Sequence, residues 1–358
     1  MAVGGVTVAV VLYNGVEHLP YCLDAVSGLR GEIAEILVID NGSTDGGPDW
    51  IRENRPEVRL VEVGENPGPC VARNRALQES RTARVFLLDC DVVPDPECLG
   101  LLTAEMEAHP DLAVVQPRAL FAHDPARIHY DGGWFSYTGL LTLRNFGARV
   151  EETAREPIAV DAVISMALLV DRDRLRRVEN LGNPFDDIYF IYFEDTDLSY
   201  RLGLAGSPLR LVPEATVLHR EGTAGVSYRA GGKVAYRRAF LLSRNRWIFL
   251  LKTYAWRTFF LTLPAQIMYE VILAAFLTWK GQPHGYVLGK LNLMVKLPRI
   301  LKRRRATQAM RRVRDRDLLG FEGFSFIPLL EGGSSGRGVS TFLDRVFALY
   351  WKWVRWLM

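Results

Sequence analysis

FLLDCDVVP, residues 86–94, is the stretch on which the reading of this chain turns. Val85 to Leu88 are all apolar and run straight into Asp89 and Asp91. Such a run is what a strand buried on both faces requires. If the strand continued through the pair, both carboxylates would point to one side, because strand side chains alternate with period two. Two like charges so placed repel unless something positive lies between them. A central strand with a functional end is the expectation.

Working outward, short apolar strands alternate with helical stretches throughout the first half. Strands are expected at 6–12, 36–39, 58–63 and 85–88, and helices at 16–27, 48–54 and 68–80. Leu19, Cys22, Leu23 and Val26 fall at helical spacing, and Pro48 suits a first turn. That order implies a largely parallel sheet with helices on both faces, and ligands beyond the C-terminal strand ends. Asn14, Asp40 and the Asp89/Asp91 pair sit just past such ends.

Further along, 159–170 reads as strand or buried helix, 194–204 as helix, and 209–212 and 216–218 as short strands. EGTAGVSYRAGG, residues 221–232, holds four glycines and no apolar run, which suits a mobile lid.

With 358 residues, 49% hydrophobic and 24% charged, the chain can bury a full core. A net charge of +3 is too small to argue for nucleic acid. The charge is local instead: 286–316 holds eleven Lys/Arg against Asp315 alone, which suits an anionic surface. Cys22, Cys70, Cys90 and Cys98 form no CxxC pair, so they read as reduced core thiols. VTVAVVLYN at the N-terminus reads as a buried strand and lacks the features of a signal peptide.

The last third differs. Residues 258–279 are apolar and of membrane-spanning length, yet Thr262, Gln266 and Glu270 form an i, i+4, i+8 stripe. A helix packed on the protein or lying in a bilayer interface fits that stripe better than a clean span. EGGSSGRG, 331–338, reads as a flexible linker. In 341–358, Thr341, Asp344, Arg345, Lys352 and Arg355 share one helical sector of about 100°, and Trp351, Trp353 and Trp356 lie outside it. An interfacial helix is expected, the alternative being a helix docked on its own protein or on a second copy in a homo-oligomer.

Four groups could do chemistry. Asp89 and Asp91 suit a hard divalent ion, Mg²⁺ or Mn²⁺. Glu194, Asp195 and Asp197 follow the aromatic run IYFIYF, where a desolvated carboxylate can act as base. They also suit a helix N-terminus, and both uses can hold together. His219 ends a short strand before the glycine-rich loop. In RRAFLLSRNRW, 237–247, Arg237, Arg238, Arg244 and Arg246 could meet phosphates or form a solvated face.

Taken together, VAVVLYN (8–14), VIDNGSTDGG (38–47), NPGPCVARNRAL (66–77), LLDCDV (87–92), YFEDTDLSYR (192–201) and VPEATVLHREG (212–222) resemble the inverting, family-two glycosyltransferases. RNRW, an apolar segment and a basic stretch then resemble the rhamnosyltransferase-like branch. The resemblance implies an α/β GT-A fold, a Rossmann-like mixed sheet, with a C-terminal helical membrane-associating extension. It implies a catalytic part over 1–220, a lid and Arg-rich helix over 221–255, and a helical region over 256–358.

It also implies roles. Leu12, Tyr13 and Asn14 would lie beside the donor's base, Asp40 would hydrogen-bond it, and Arg73 would lie against the nucleotide. Asp89 would face the ribose or the metal, Cys90 would pack between, and Asp91 and His219 would hold the metal. Asp195 would be the base, with Glu194, Asp197, Arg246 and Trp247 toward the acceptor. The implied donor is a UDP- or dTDP-sugar. The implied acceptor is a membrane-linked glycan, on a polyprenyl diphosphate, at the cytoplasmic face of a bacterial membrane.

Two departures matter. Ser243 stands where processive relatives carry the Gln of QxxRW, so one or few additions are expected. DCD stands where many rhamnosyltransferase-like relatives read NPD, which leaves the donor open. A nucleotidyltransferase would need a basic phosphate loop after the first strand, and LYNGVEHL has no Lys or Arg. A non-enzymatic, membrane-bound sugar-binding protein is the other alternative.

Overall fold

The computed structural model describes residues 3–220, 234–323 and 334–358. The glycine-rich loop at 221–232 lies outside the described residues.

The expected alternation is present. β1 (Val3–Leu12), α1 (Leu19–Ser27), β2 (Ile33–Asp40), α2 (Gly47–Asn54), β3 (Arg59–Glu62), α3 (Pro69–Glu79) and β4 (Thr82–Asp89) follow in turn. β1 pairs in parallel with β2 and β4, and β2 with β3. Leu12 sits opposite Asp40, Val11 opposite Asp89, and Asp40 opposite Glu62, so the strand ends share one edge. Successive residues of β1 serve two cores. Val8, Val10 and Leu12 meet α1 on one face, while Ala9 and Val11 meet α3 on the other.

After β4 the chain makes β5 (Val92–Pro94), α4 (Cys98–Ala108), β6 (Val114–Phe121), β7 (Asp124–Tyr130), β8 (Gly133–Ser136), β9 (Leu141–Leu143), β10 (Ile158–Val160) and β11 (Ala167–Asp171). Then come α5 (Arg172–Leu175), α6 (Glu194–Ala205) and β12 (Leu209–His219). The sheet runs β10-β12-β6-β11-β4-β1-β2-β3, with β5 beside β12 and β7 beside β6. β11 inserts antiparallel between β4 and β6, which makes the sheet mixed. The stretch at 159–170 is therefore two strands joined by a connection. The two short strands expected at 209–218 are one strand, whose register against β6 shifts between Val212 and Thr216.

The C-terminal part consists of α7 (Tyr236–Thr253), α8 (Trp256–Trp279), α9 (Pro283–Ala309), α10 (Asp315–Leu318), β13 (Leu319–Gly320) and α11 (Ser334–Arg355). The expected linker at 331–338 is corrected from Ser334 on, where α11 already runs. These helices share a core with the sheet: Ile248, Phe249, Phe259, Leu273 and Trp351 belong to the cluster that holds Val11 and Leu87. The division expected at 220 and 255 is thus not a break in packing.

The crossing of α7 and α9 is close because small residues line it. A Cβ on Gly289 would lie 2.0 Å from Ser243 Oγ, and one on Gly285 would lie 3.0 Å from the Ala239 Cβ. α8 carries its polar stripe inward. Thr262 and Gln266 are fully buried, and the Gln266 amide donates to the Tyr137 carbonyl at 2.7 Å.

Candidate active site

β4 ends at Asp89, and a turn at Cys90 and Asp91 separates it from β5. The strand therefore does not continue through the pair, and the two carboxylates take different partners. Arg73 on α3 donates from Nη2 to both Asp89 oxygens, at 2.8 and 3.0 Å. Asp91 Oδ2 lies 3.3 Å from His219 Nε2 at the end of β12.

Burial pushes the Asp89 carboxyl up, and Asp91 adds to that, against the pull of Arg73. Burial also acts on Asp91, but the His219 hydrogen bond and charge outweigh it and hold that carboxyl below the usual range. Cys90 is buried packing, as expected. A Cβ on Gly15 would lie 2.5 Å from its sulfur, so only glycine lets the turn after β1 pass.

The loop after β2 is held by side chains from two strand ends. Asp40 accepts from the amides of Gly42 (3.2 Å) and Ser43 (3.1 Å). Asn14, at φ 48°, accepts from the Thr44 amide at 2.8 Å. Asp40 is buried, so its carboxylate shapes this loop from beneath. Leu12 is fully buried in the core, while Tyr13 and Asn14 reach the edge.

α6 brings the acids. Asp195 is half-buried, and its Oδ1 accepts from the Ser165 amide at 3.0 Å and from the Ser165 hydroxyl. Burial pushes its carboxyl up, opposed by Arg73 and these hydrogen bonds. Among the described residues nothing donates to Oδ2, which leaves one oxygen for a substrate proton. Glu194 is buried, with Oε1 3.5 Å from Arg73 Nη1, and among the described residues Oε2 has no hydrogen-bond partner. Burial, then the Asp195 charge, pushes Glu194 up to about 8, against Arg73.

Two of the residues expected to meet the acceptor are corrected. Asp197 is fully buried, bound to Arg201 Nε (2.8 Å), Lys252 Nζ (2.6 Å) and the Tyr189 hydroxyl (3.1 Å). Arg246 is buried, donating to the Thr138 carbonyl (2.9 Å), Glu270 (3.0 Å) and Gln266. Trp247 is half-buried, and its Nε1 donates to Glu270 at 2.5 Å.

RNRW thus supports the site from behind. Arg244 donates to the carbonyls of Ile188 and Tyr189, and Asn245 to those of Tyr189, Ile191 and Tyr192. These bonds hold a strained approach to α6, in which Phe190, Tyr192 and Phe193 take φ of 69°, 67° and 73°. Each such residue costs on the order of 1–3 kcal/mol unless its surroundings fix it. Gly68 fits beneath, because a Cβ there would lie 2.8 Å from Phe190.

Sequence reasoning missed Ser165 and His129. Ser165 is 30 residues from Asp195 in the chain, with no local pattern to link them. His129 Nδ1 lies 2.9 Å from His219 Nδ1.

Asp91 and His219 suit a divalent cation. Two ligand atoms each about 2.1 Å from one octahedral ion lie about 3 Å apart, close to their separation. Asp89 differs from them in that both its oxygens accept from Arg73. Among the described residues no cluster of three or more His, Cys, Asp or Glu is placed to hold a metal.

A mixed sheet of this topology, with acids at its C-terminal edge, defines the GT-A class of sugar-transferring enzymes. The Glycosyl transferase family 2 model matches residues 7–165. The N-acetylglucosaminyl-diphospho-decaprenol L-rhamnosyltransferase of Mycobacterium tuberculosis is 30% identical over 236 residues, which cover 60% of this chain and 75% of that one. The pre-mycofactocin glycosyltransferase of the same organism is 28% identical over 220 residues, covering 61% of this chain and 43% of that one. Among solved structures, GalNAc-T7 with UDP, GalNAc and Mn²⁺ matches with a TM-score of 0.54 at 18% identity, over 69% of this chain and 48% of that one. That last likeness is one of fold. The chain belongs to glycosyltransferase family two, in its rhamnosyltransferase-like branch.

Proposed function

We propose that this enzyme moves a sugar, with inversion, from a UDP- or dTDP-sugar to a hydroxyl of a polyprenyl-diphosphate-linked glycan at the inner surface of a bacterial membrane. The observation that carries the reading is Asp195, held by Ser165 through one oxygen on the edge where Asn14, Asp89, Asp91 and His219 also end. The name of the Mycobacterium tuberculosis rhamnosyltransferase specifies a diphospho-decaprenol acceptor, which supports the lipid-linked class.

Asp195 Oδ2 takes the acceptor hydroxyl's proton as that oxygen bonds to the anomeric carbon. The carbon's bond to the diphosphate breaks, and its electron pair leaves with the phosphate oxygen. Asp91 and His219 would hold Mg²⁺ or Mn²⁺, which when bound offsets the charge gained by the leaving diphosphate. Arg73 pairs with Asp89 on this edge and lies beside Glu194, opposing the burial that raises both carboxyls.

Membrane contact rests on the C-terminal helices. α8 exposes Phe260, Ile267 and Val271, α9 exposes Leu291, Met294 and Val295, α11 exposes Leu349 and Trp353, and Trp356 is exposed just past its end. Arg257, Lys302, Arg305, Lys352 and Arg355 are exposed on the same helices, suiting anionic headgroups. α11 packs on the protein along one side and leaves another side open. Phe347, Trp351 and Val354 are buried, with the Trp351 ring 5.0 Å from that of Tyr137, while Trp353 stays exposed. α8 is long and apolar enough to cross a membrane, yet its buried polar stripe favours lying along the surface.

The test is transfer from a panel of nucleotide sugars to a polyprenyl-diphosphate acceptor in anionic vesicles. Turnover that needs Mg²⁺ or Mn²⁺ and the vesicle surface is the expected result. Full activity in excess EDTA would remove the metal role from Asp91 and His219. A protein that ignores anionic vesicles would refute the membrane contact.

A further inference from the structure

His219 and His129 flank β6 from opposite sides, on β12 and β7. His129 occupies a bulge. Tyr130 pairs with Ala119 and Ile128 with Leu120, so the register shifts by one residue at His129. Such bulges re-aim a side chain, often beside an active site. This one turns the His129 ring onto His219, with Nδ1 2.9 Å from Nδ1 and ring planes 17° apart. His129 is buried, packed on Phe121 at 4.4 Å between ring centres and on Tyr130 at 4.0 Å.

Two nitrogens at that distance share one proton: one ring donates and the other accepts. His219 Nε2 is the atom turned to Asp91. For Nε2 to give its lone pair to a cation, a neutral His219 must carry its proton on Nδ1. His129 Nδ1 is placed to accept that proton's hydrogen bond.

We propose that His129 is a positioning residue that fixes the tautomer and ring orientation of His219 for divalent-cation binding beside Asp91. This rests on the metal reading above. Outer partners of this kind change metal affinity by about 10- to 100-fold when removed.

The test measures Mn²⁺ affinity directly, by calorimetry and by the electron paramagnetic resonance of free Mn²⁺, with and without UDP. His129→Phe keeps an aromatic ring but cannot accept; His129→Asn returns an acceptor close to the Nδ1 position. The expected result is binding weaker by about 10-fold or more for His129→Phe and close to wild type for His129→Asn. If His129→Phe binds like wild type while His219→Ala is weakened, the positioning role is wrong and the metal reading stands. The role is also wrong if His129→Asn is as weak as His129→Phe. If His219→Ala binds Mn²⁺ like wild type, the metal reading falls and takes this proposal with it. Should His129→Phe fail to fold, ¹⁵N-histidine spectra of the wild-type protein with Mg²⁺ decide. A proton on His219 Nδ1 supports the proposal, and one on Nε2 overturns it.

Discussion

Arg73 and Asp89 form a forked ion pair at 2.8 and 3.0 Å between the middle of α3 and the last residue of β4. The same guanidinium lies 3.5 Å from Glu194, so a single cation serves acids from two distant parts of the chain.

Removing that cation leaves Asp89 without its ion-pair partner and takes away the charge that opposes protonation of Glu194. Arg73→Met is expected to lower stability by about 3 kcal/mol, toward the lower end for breaking a buried pair because Asp89 is partly exposed. Urea unfolding measures the loss. Arg73→Lys restores only part of it, because one ammonium cannot face Asp89 and Glu194 with separate nitrogens.

Asp195→Asn keeps the shape of the site and removes the base. Turnover is expected to fall by about 100- to 10,000-fold, while nucleotide-sugar binding stays within a few-fold. Single-turnover transfer and donor titration check the two halves. Ser165→Ala removes the hydroxyl that orients Oδ1 and is expected to cost about 10-fold in the same assay.

Glu194 gives stability a pH dependence of known sign. Its folded-state value, about 8, lies above its ordinary one, so the folded protein binds a proton that the unfolded chain releases. That contribution is fully present below the unfolded value and is lost as pH rises toward 8. Glu194→Gln should flatten the decline in denaturation midpoint over that window. An unchanged slope would show that another group causes it.

Ser243→Gln would restore the side chain of the processive signature, but Gly289 stands against it. The expected outcome is a destabilised protein, by about 1–3 kcal/mol, because α9 must move away from α7. A fall in melting temperature without any gain in chain-extending activity would agree.

Much of the candidate site's edge was legible because each strand announces its own end. An apolar run stops at Asn14, Asp40 or Asp89, and parallel pairing brings those ends together. Asp195 was legible as an acid on a helix start. What could not be read were the partners. Asp89 and Asp91 look equivalent in the chain, and only folding sends one to Arg73 and the other to His219. Asp197 resembles Asp195 but sits two residues further round the helix, and so faces Arg201 and Lys252 in the core. His129 depends on a bulge, which leaves no mark in hydrophobic alternation. Gly285 and Gly289 do repeat at a small-residue spacing, and their meaning appears only with Ala239 and Ser243 opposite.

One further consequence comes from Asp186 and Asp187, just before the strained approach to α6. Lys252 of α7 binds Asp186 at 2.5 Å, and Arg303 of α9 binds both, at 2.8 and 2.6 Å. The segment that carries the proposed base is bolted to α7 and to α9, and α9 is one of the helices proposed to rest on the lipid. If they do rest there, the height of Asp195 above the bilayer is a fixed dimension of the protein. The enzyme would then act as a gauge, selecting acceptors by how far the growing glycan lifts its free hydroxyl. Acceptors of stepwise increasing glycan length, presented in vesicles, should show a sharp optimum that disappears when they are offered in detergent-free soluble form.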